Sequence, residues 1–228
     1  MKAGVLIMVQ RQQLSGRGRG MKDRPILFSG PMVQAILDGR KTMTRRVITP
    51  QPEMEMDGEI LPDGTGGYGW GPVLPPWSKW PYQVGGRLWV RETWKLWEDP
   101  EDGHDWVLYR AGGKMSFPNE PYLDMPNNPF SDKWRPSIFM PRWASRITLE
   151  ITNVRVERLQ EITEEDAIKE GIELKILKIW RPPDEEIPYT RRDHFEALWD
   201  SIKGKTHPWS SDPWVWVIEF KRIKEVKL

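Results

Sequence analysis

Every periodic segment in this chain is short, and long stretches rich in proline, glycine and tryptophan separate the segments. Long irregular insertions of this kind in a compact domain are often lids or binding loops. Ile26 to Phe28 reads as a short strand. Ser29 then caps a helix over Pro31 to Asp38, with Val33, Ile36 and Leu37 as its apolar stripe and Gly39 as its stop. Thr42 to Ile48 reads as a strand in which Thr42, Thr44 and Arg46 share a face. Gly85 to Trp94 reads as a turn and a strand. Arg146 to Leu159 alternates, then shifts phase after Asn153, which predicts a bulge or a turn. Thr163 to Gly171 is a capped helix with Asp166 completing a capping-box pattern. Arg191 to Ile202 is a third helix with Phe195, Leu198, Trp199 and Ile202 on one stripe, and Trp214 to Ile223 is the closing strand. Short helices among alternating strands give an α+β fold with a curled sheet or small barrel. The organisation predicted is a flexible extension over residues 1–21 and a single domain over 22–228. Loop-like insertions lie near 50–80, 97–135 and 174–190, the first of them a lid candidate.

Composition narrows the chemistry. The 228 residues carry 34 basic and 33 acidic side chains, a net charge of +1, so any nucleic-acid surface must be local. Without cysteine there is no disulfide, thiolate zinc site or cysteine nucleophile, which fits a reducing cytoplasm. His104, His194 and His207 are widely separated in sequence and form no ligand pair. No segment approaches membrane-span length, and the apolar run Val5 to Val9 is too short for a signal-peptide core. The 14 tryptophans often adjoin prolines, as in Pro76-Trp77 and Pro213-Trp214. They serve either to pack irregular segments or to stack on bases.

The chemistry-bearing segment is Gly39 to Arg46, GRKTMTRR. A lysine able to lose its proton and a hydroxyl within its reach suffice for nucleophilic catalysis without histidine or cysteine. The flanking Arg40, Arg45 and Arg46 suit a polar, phosphate-bearing or nucleobase-like ligand. In a regular strand, residues three apart face opposite sides. Lys41 therefore reaches Thr44 only if it belongs to the turn after Gly39. Arg91 and Glu92 either line the same pocket or pair with each other. Arg142, Trp143 and Arg146 form a basic-aromatic cluster that suits nucleic acid or a packed tryptophan flanked by arginine stems.

Gly39, Lys41, Thr44 and Arg46 resemble the mark of the ASCH family in the PUA-like superfamily: a helix ending in Gly-x-Lys, a polar residue three positions on, and an arginine two beyond that. The family's usual residue at the position of Thr44 is glutamate. Threonine there is similar to the small bacterial ASCH proteins that hydrolyse N4-acetylcytidine. Ile162 to Glu170 resembles their acidic helix and places Glu170 at the catalytic acid position, and Val217 to Lys221 resembles their closing strand. GRLWVRETW, Trp134 to Ile138 and Met140 to Ile147 resemble a larger phage and prophage ASCH-like family.

The resemblance spans most of residues 22–224 and implies a PUA-like small β-barrel with flanking helices. It also implies an amidohydrolase with Thr44 as nucleophile, Lys41 as base and Glu170 as the acid that orients the lysine or shuttles a proton. Arg40, Arg45, Arg46, Arg91, Glu92 and Arg142 are the expected substrate-binding residues. The implied partner is a modified nucleoside or RNA, with no metal or other cofactor and no membrane. Two other functions stay open on the same resemblance: a non-catalytic reader of RNA or modified bases, and a phage assembly or interaction protein.

Overall fold

The structure is a computed structural model and describes residues 23–51, 54–55, 71–72, 81–101, 103–116, 130, 133–174 and 190–223. The extension over 1–21 and almost all of the predicted lid and of the 174–190 insertion lie outside the described residues.

The chain is α+β. Strands β1 (Arg24–Leu27), β2 (Met43–Val47), β5 (Arg87–Arg91), β9 (Thr148–Arg158) and β10 (Trp214–Ile223) form one sheet in the order β1-β5-β9-β10-β2. Only β1 and β5 run parallel; the other neighbours are antiparallel. Helix α1 (Gly30–Leu37) connects β1 to β2, the two edges of the sheet. Two residue pairs, β3 (Met54–Glu55) and β4 (Gly71–Pro72), make a minimal second ladder.

Alternation along the strands divides the interior into two cores. Ile26, Leu88, Val90, Leu149, Ile151, Val154, Trp216, Ile218 and Phe220 point to one side, where Phe28, Ile48 and the Val33 and Ile36 stripe of α1 join them. On β10 the alternate residues Val215 and Val217 face the other side. There Met43 joins them beneath α2 (Glu164–Lys169) and α3 (Arg191–Lys203), with Ala167, Phe195, Trp199 and Trp209.

The predicted phase shift is a bulge, not a turn. β9 runs unbroken, but the register steps from Asn153 opposite Glu219 to Ile151 opposite Phe220, leaving Thr152 without an opposite residue. The extra residue moves the core face from Leu149 and Ile151 to Val154.

One expectation is corrected here, and another is met only in part. The segment 97–135 is not simply loop. β6 (Trp94–Glu98), β7 (Asp105–Tyr109) and β8 (Lys114–Ser116) form a separate antiparallel sheet whose core is Trp94, Leu96, Val107 and Tyr109 with Met140 and Ala144. Its short strands and aromatic alternation were masked by the Gly103, Gly112 and Gly113 turns, all at positive φ. The sheet order also leaves β1 and β2 unpaired with each other among the described residues, so no closed barrel forms. A side chain spans the seam instead: Arg46 Nη2 on β2 donates to the Leu27 carbonyl on β1 at 2.8 Å.

The tryptophans resolved within the fold are mostly packing groups. Trp89, Trp94, Trp199, Trp209 and Trp216 are all buried. Because Leu149 is fully buried on the central strand, Leu149→Ala is expected to cost about 2–5 kcal/mol. Urea denaturation measures this, and a loss below about 1 kcal/mol would mean that this core is not close-packed.

Candidate active site at the start of strand β2

Gly39 ends α1 at φ 76°, a conformation that side-chain-bearing residues rarely adopt. The chain then folds back on the helix, with the amides of Arg40 and Lys41 both donating to the Ala35 carbonyl at 2.9 Å. Lys41 therefore lies in the turn, outside strand alternation. The end of α2 docks onto this turn. Thr42 N donates to the Lys169 carbonyl at 2.8 Å. Gly171 has φ 83°, which strains a side-chain-bearing residue, and a Cβ there would also crowd Lys41 Cβ at 3.0 Å and Ala35 Cβ at 3.1 Å.

That docking buries a charge pair. Lys41 is 2% and Glu170 6% exposed. Lys41 Nζ donates to Glu170 Oε2 at 2.6 Å, to the Glu170 carbonyl at 2.9 Å and to the Met43 carbonyl at 2.8 Å. All three ammonium hydrogens thus have acceptors, and the Thr44 hydroxyl is not among them. Burial pulls the Lys41 ammonium below the ordinary lysine range. Glu170 opposes that shift by charge and hydrogen bond, and Arg46 and Arg45 add to it.

Beyond the turn, alternation separates the arginines. Thr44, buried and opposite Ile218, shares its face with Arg46, opposite Trp216. The Arg46 guanidinium and Lys41 Nζ approach the same ring, Phe28, at 5.2 and 5.7 Å from its centroid. Among the described residues no carboxylate pairs with Arg46, whose Nε is buried without a partner. Burial lowers its pKa, against the influence of Tyr82 and Glu170.

Arg45 faces the other way. Its side chain is fully buried, with Nη2 donating to Glu157 Oε1 at 2.5 Å and Asp166 Oδ2 at 2.6 Å, and Nη1 reaching Glu170 Oε1 at 3.4 Å. The sequence groups Arg45 with the substrate arginines; in the fold its guanidinium is committed to three carboxylates beneath α2. Arg40 is exposed and paired with Asp38 and Glu173.

Arg91, Glu92 and Arg142 are not brought to Lys41. Glu92 pairs with Arg146, not Arg91, through two bonds of 2.9 Å, and burial pushes its carboxyl up while Arg146 opposes the rise. Arg91 lies 4.6 Å over Trp89 and donates to the Ile138 carbonyl, and Arg142 lies 6.0 Å from the same ring with Asp23 and Thr148 as partners. The members of the basic-aromatic cluster take different partners: Arg142 lies over Trp89, Arg146 pairs with Glu92 over the Tyr109 ring, and Trp143 packs edge-on against Trp94 at 5.8 Å. Two cavities of about 460 and 430 Å³ border α1, the first beside Arg40 and His194, the second beside Glu92 and Arg110; neither is lined by Lys41 or Thr44.

Sequence reading missed Phe28, Glu157 and Asp166. Phe28 carries no signal beyond apolarity. Asp166 is legible only as a helix cap, and in the fold Thr163 Oγ1 accepts from the Asp166 amide while the Asp166 carboxylate turns to Arg45 and Arg155. Among the described residues no group of three or more histidines and carboxylates is placed to hold a metal ion. No helix among them is long and apolar enough to cross a membrane.

Lys41 titrates lower in the folded chain, so below about pH 10.4 the unfolded chain binds more protons at this site. Stability is expected to rise with pH across that window, relative to a Lys41→Met/Glu170→Gln chain that has lost both charges. Urea denaturation of the two proteins between about pH 8 and pH 10.4 reads the difference, and a pH-independent difference would mean an unshifted lysine.

No family model matches the sequence, and no curated protein matches it. Among solved structures, the chain is similar to the ASCH domain from Lactobacillus crispatus JV V101, at 14% identity and a TM-score of 0.37 over 89% of this chain and 80% of that one. Similarity of that size leaves the functional argument to the site itself.

Proposed function

We propose that the protein is an amidohydrolase that removes an acyl group from the exocyclic nitrogen of an N4-acylated cytidine or a related modified base. The observation that carries this reading is the buried 2.6 Å contact between Lys41 and Glu170. Two segments 129 residues apart meet there, beside a threonine and an arginine that has no carboxylate partner among the described residues. The Arg46 Nε is buried without a hydrogen-bond partner, and a ligand oxygen would complete it.

The chemistry uses these four side chains. The Lys41 ammonium passes a proton to Glu170 Oε2, leaving a neutral amine. Oγ1 of Thr44 attacks the acyl carbon as that amine takes its hydroxyl proton. Arg46 offers its unpaired N–H groups to the oxyanion that forms. When the tetrahedral intermediate collapses, the bond from acyl carbon to N4 breaks, and Lys41 returns a proton to the departing nitrogen. Cytidine leaves an acyl-threonine. Water, deprotonated by Lys41, then cleaves the ester to release the carboxylic acid and restore Thr44. Beside Thr44, the seam between β1 and β2 is bridged by Arg46 instead of by backbone pairing among the described residues.

A second reading, a non-catalytic reader of modified bases, is favoured by the fully satisfied Lys41 ammonium, which resembles a structural charge. One experiment separates the two. Purified protein is incubated with N4-acetylcytidine and cytidine release is followed by chromatography. Thr44→Ala is expected to lower kcat by at least about three orders of magnitude while the fold persists. Binding of the nucleoside without release by the wild type selects the reader, and full turnover by Thr44→Ala excludes threonine as nucleophile.

A further inference from the structure

Arg45 touches the candidate catalytic pair from behind. On one side its guanidinium reaches Glu170 Oε1, the oxygen that Lys41 leaves open, since Lys41 takes Oε2. On the other side it is gripped by Glu157 and Asp166. Those two carboxylates are themselves fixed by a second guanidinium. Arg155 Nε donates to Glu157 Oε2 at 2.9 Å, its Nη2 to Asp166 Oδ2 at 2.7 Å, and its Nη1 to Glu219 Oε1 at 2.8 Å. Glu157 thus bridges the two arginines through separate oxygens, and Asp166 through one. The array holds three cations, Lys41, Arg45 and Arg155, and four carboxylates, Glu170, Asp166, Glu157 and Glu219. Arg45 is 5% exposed and also lies 5.8 Å from the Phe195 ring centroid, beneath α3.

Within this array each guanidinium plane fixes the orientation of the carboxylates on it, although Arg45 Nε is left without a hydrogen-bond partner. A carboxylate held by lysine alone can rotate about its last torsion, which is broad and roughly two-fold. A second donor on the other oxygen removes that freedom.

We propose that Arg45 is a positioning residue: by holding Glu170 Oε1, and being held by Glu157 and Asp166, it keeps Glu170 Oε2 on Lys41 Nζ. Its consequence for catalysis rests on the amidohydrolase reading; the positioning itself does not. The charged groups facing Lys41 are Glu170 from the end of α2 and Arg45 and Arg46 from β2. The planar fork is essential, so a lysine at position 45 keeps the charge and loses the geometry.

The test measures the coupling between Lys41 and Glu170, using full-length protein labelled at lysine Cε and the Lys41 signal assigned with Lys41→Met. Glu170→Gln is expected to lower the Lys41 titration midpoint in the wild type. In Arg45→Gln and Arg45→Lys backgrounds that shift is expected to shrink at least about twofold, as double-mutant coupling through a shared partner requires. An undiminished shift in either background overturns the proposal. If loss of Arg45 unfolds the chain, Asp166→Asn leaves Arg45 in place with one anchor fewer. The coupling is then expected to fall in that variant, and an unchanged coupling there overturns the proposal equally.

Turnover of N4-acetylcytidine supplies the second readout. Both Arg45 variants are expected to lower kcat about tenfold with KM within about twofold of the wild type. A raised KM with unchanged kcat would make Arg45 a substrate-binding residue and overturn the assignment. If the wild type shows no turnover at all, the amidohydrolase reading falls, and the titration alone still decides the position of Glu170.

Discussion

The contact between Lys41 Nζ and Glu170 Oε2 is the interaction around which the rest of the site is arranged. Two charges at 2% and 6% exposure are tolerable only as a pair with their remaining hydrogen-bonding capacity filled. This requirement reaches outward into the backbone. The end of α2 must lie against the turn that follows α1, which calls for a glycine at 171 where a Cβ would meet Lys41. It also calls for a left-handed residue at 39 so that the chain can turn under its own helix. The amide of Thr42 on the Lys169 carbonyl closes the same junction. Helix packing, turn geometry and the charge pair are therefore one structural event.

Strand β2 then sorts its side chains by parity. Met43 and Arg45 face the α2 and α3 layer, and Thr44 and Arg46 face the core that Phe28 and Ile218 share. Two adjacent arginines consequently sit in opposite electrostatic surroundings. Arg45 meets three carboxylates. Arg46 meets an aromatic ring and a backbone carbonyl, and no carboxylate among the described residues. Both guanidinium groups keep a buried Nε without a hydrogen-bond partner among the described residues.

Much of this was legible in the sequence wherever a local rule decides the outcome. Gly39 as a helix stop, the Thr163 cap, the phase shift near Asn153 and the closing strand all follow from period and capping chemistry. Lys41 and Thr44 stand out as a lysine near a hydroxyl, Glu170 comes from resemblance alone, and the fold brings Lys41 and Glu170 into contact. What was not legible depends on partners distant in sequence. Nothing in the local pattern around Glu157 or Asp166 marks them as partners of Arg45, because an acid on a strand or in a first helical turn is ordinary. The small β6-β7-β8 sheet was lost among glycines, and Glu92 found Arg146 instead of its neighbour Arg91. Nor does parity alone say which face of β2 is lined with acids. That is set by α2, which arrives more than a hundred residues later.

The three acceptors on Lys41 are not equivalent, and this determines the direction in which a proton can move. Two are backbone carbonyls, those of Met43 and Glu170, and a peptide oxygen does not hold a proton near neutral pH. The third is a carboxylate at 2.6 Å. A lysine that loses its proton inside this cage therefore passes it to Glu170. In the proposed reaction the product of that transfer, a neutral amine beside a neutral acid, is the reactive pair. The same reasoning explains why the site needs a second guanidinium that takes no part in proton transfer. Arg45 bears on the orientation of Glu170, whereas Arg46, on the face of Thr44, is the cation left to meet the charge that develops on a substrate oxygen.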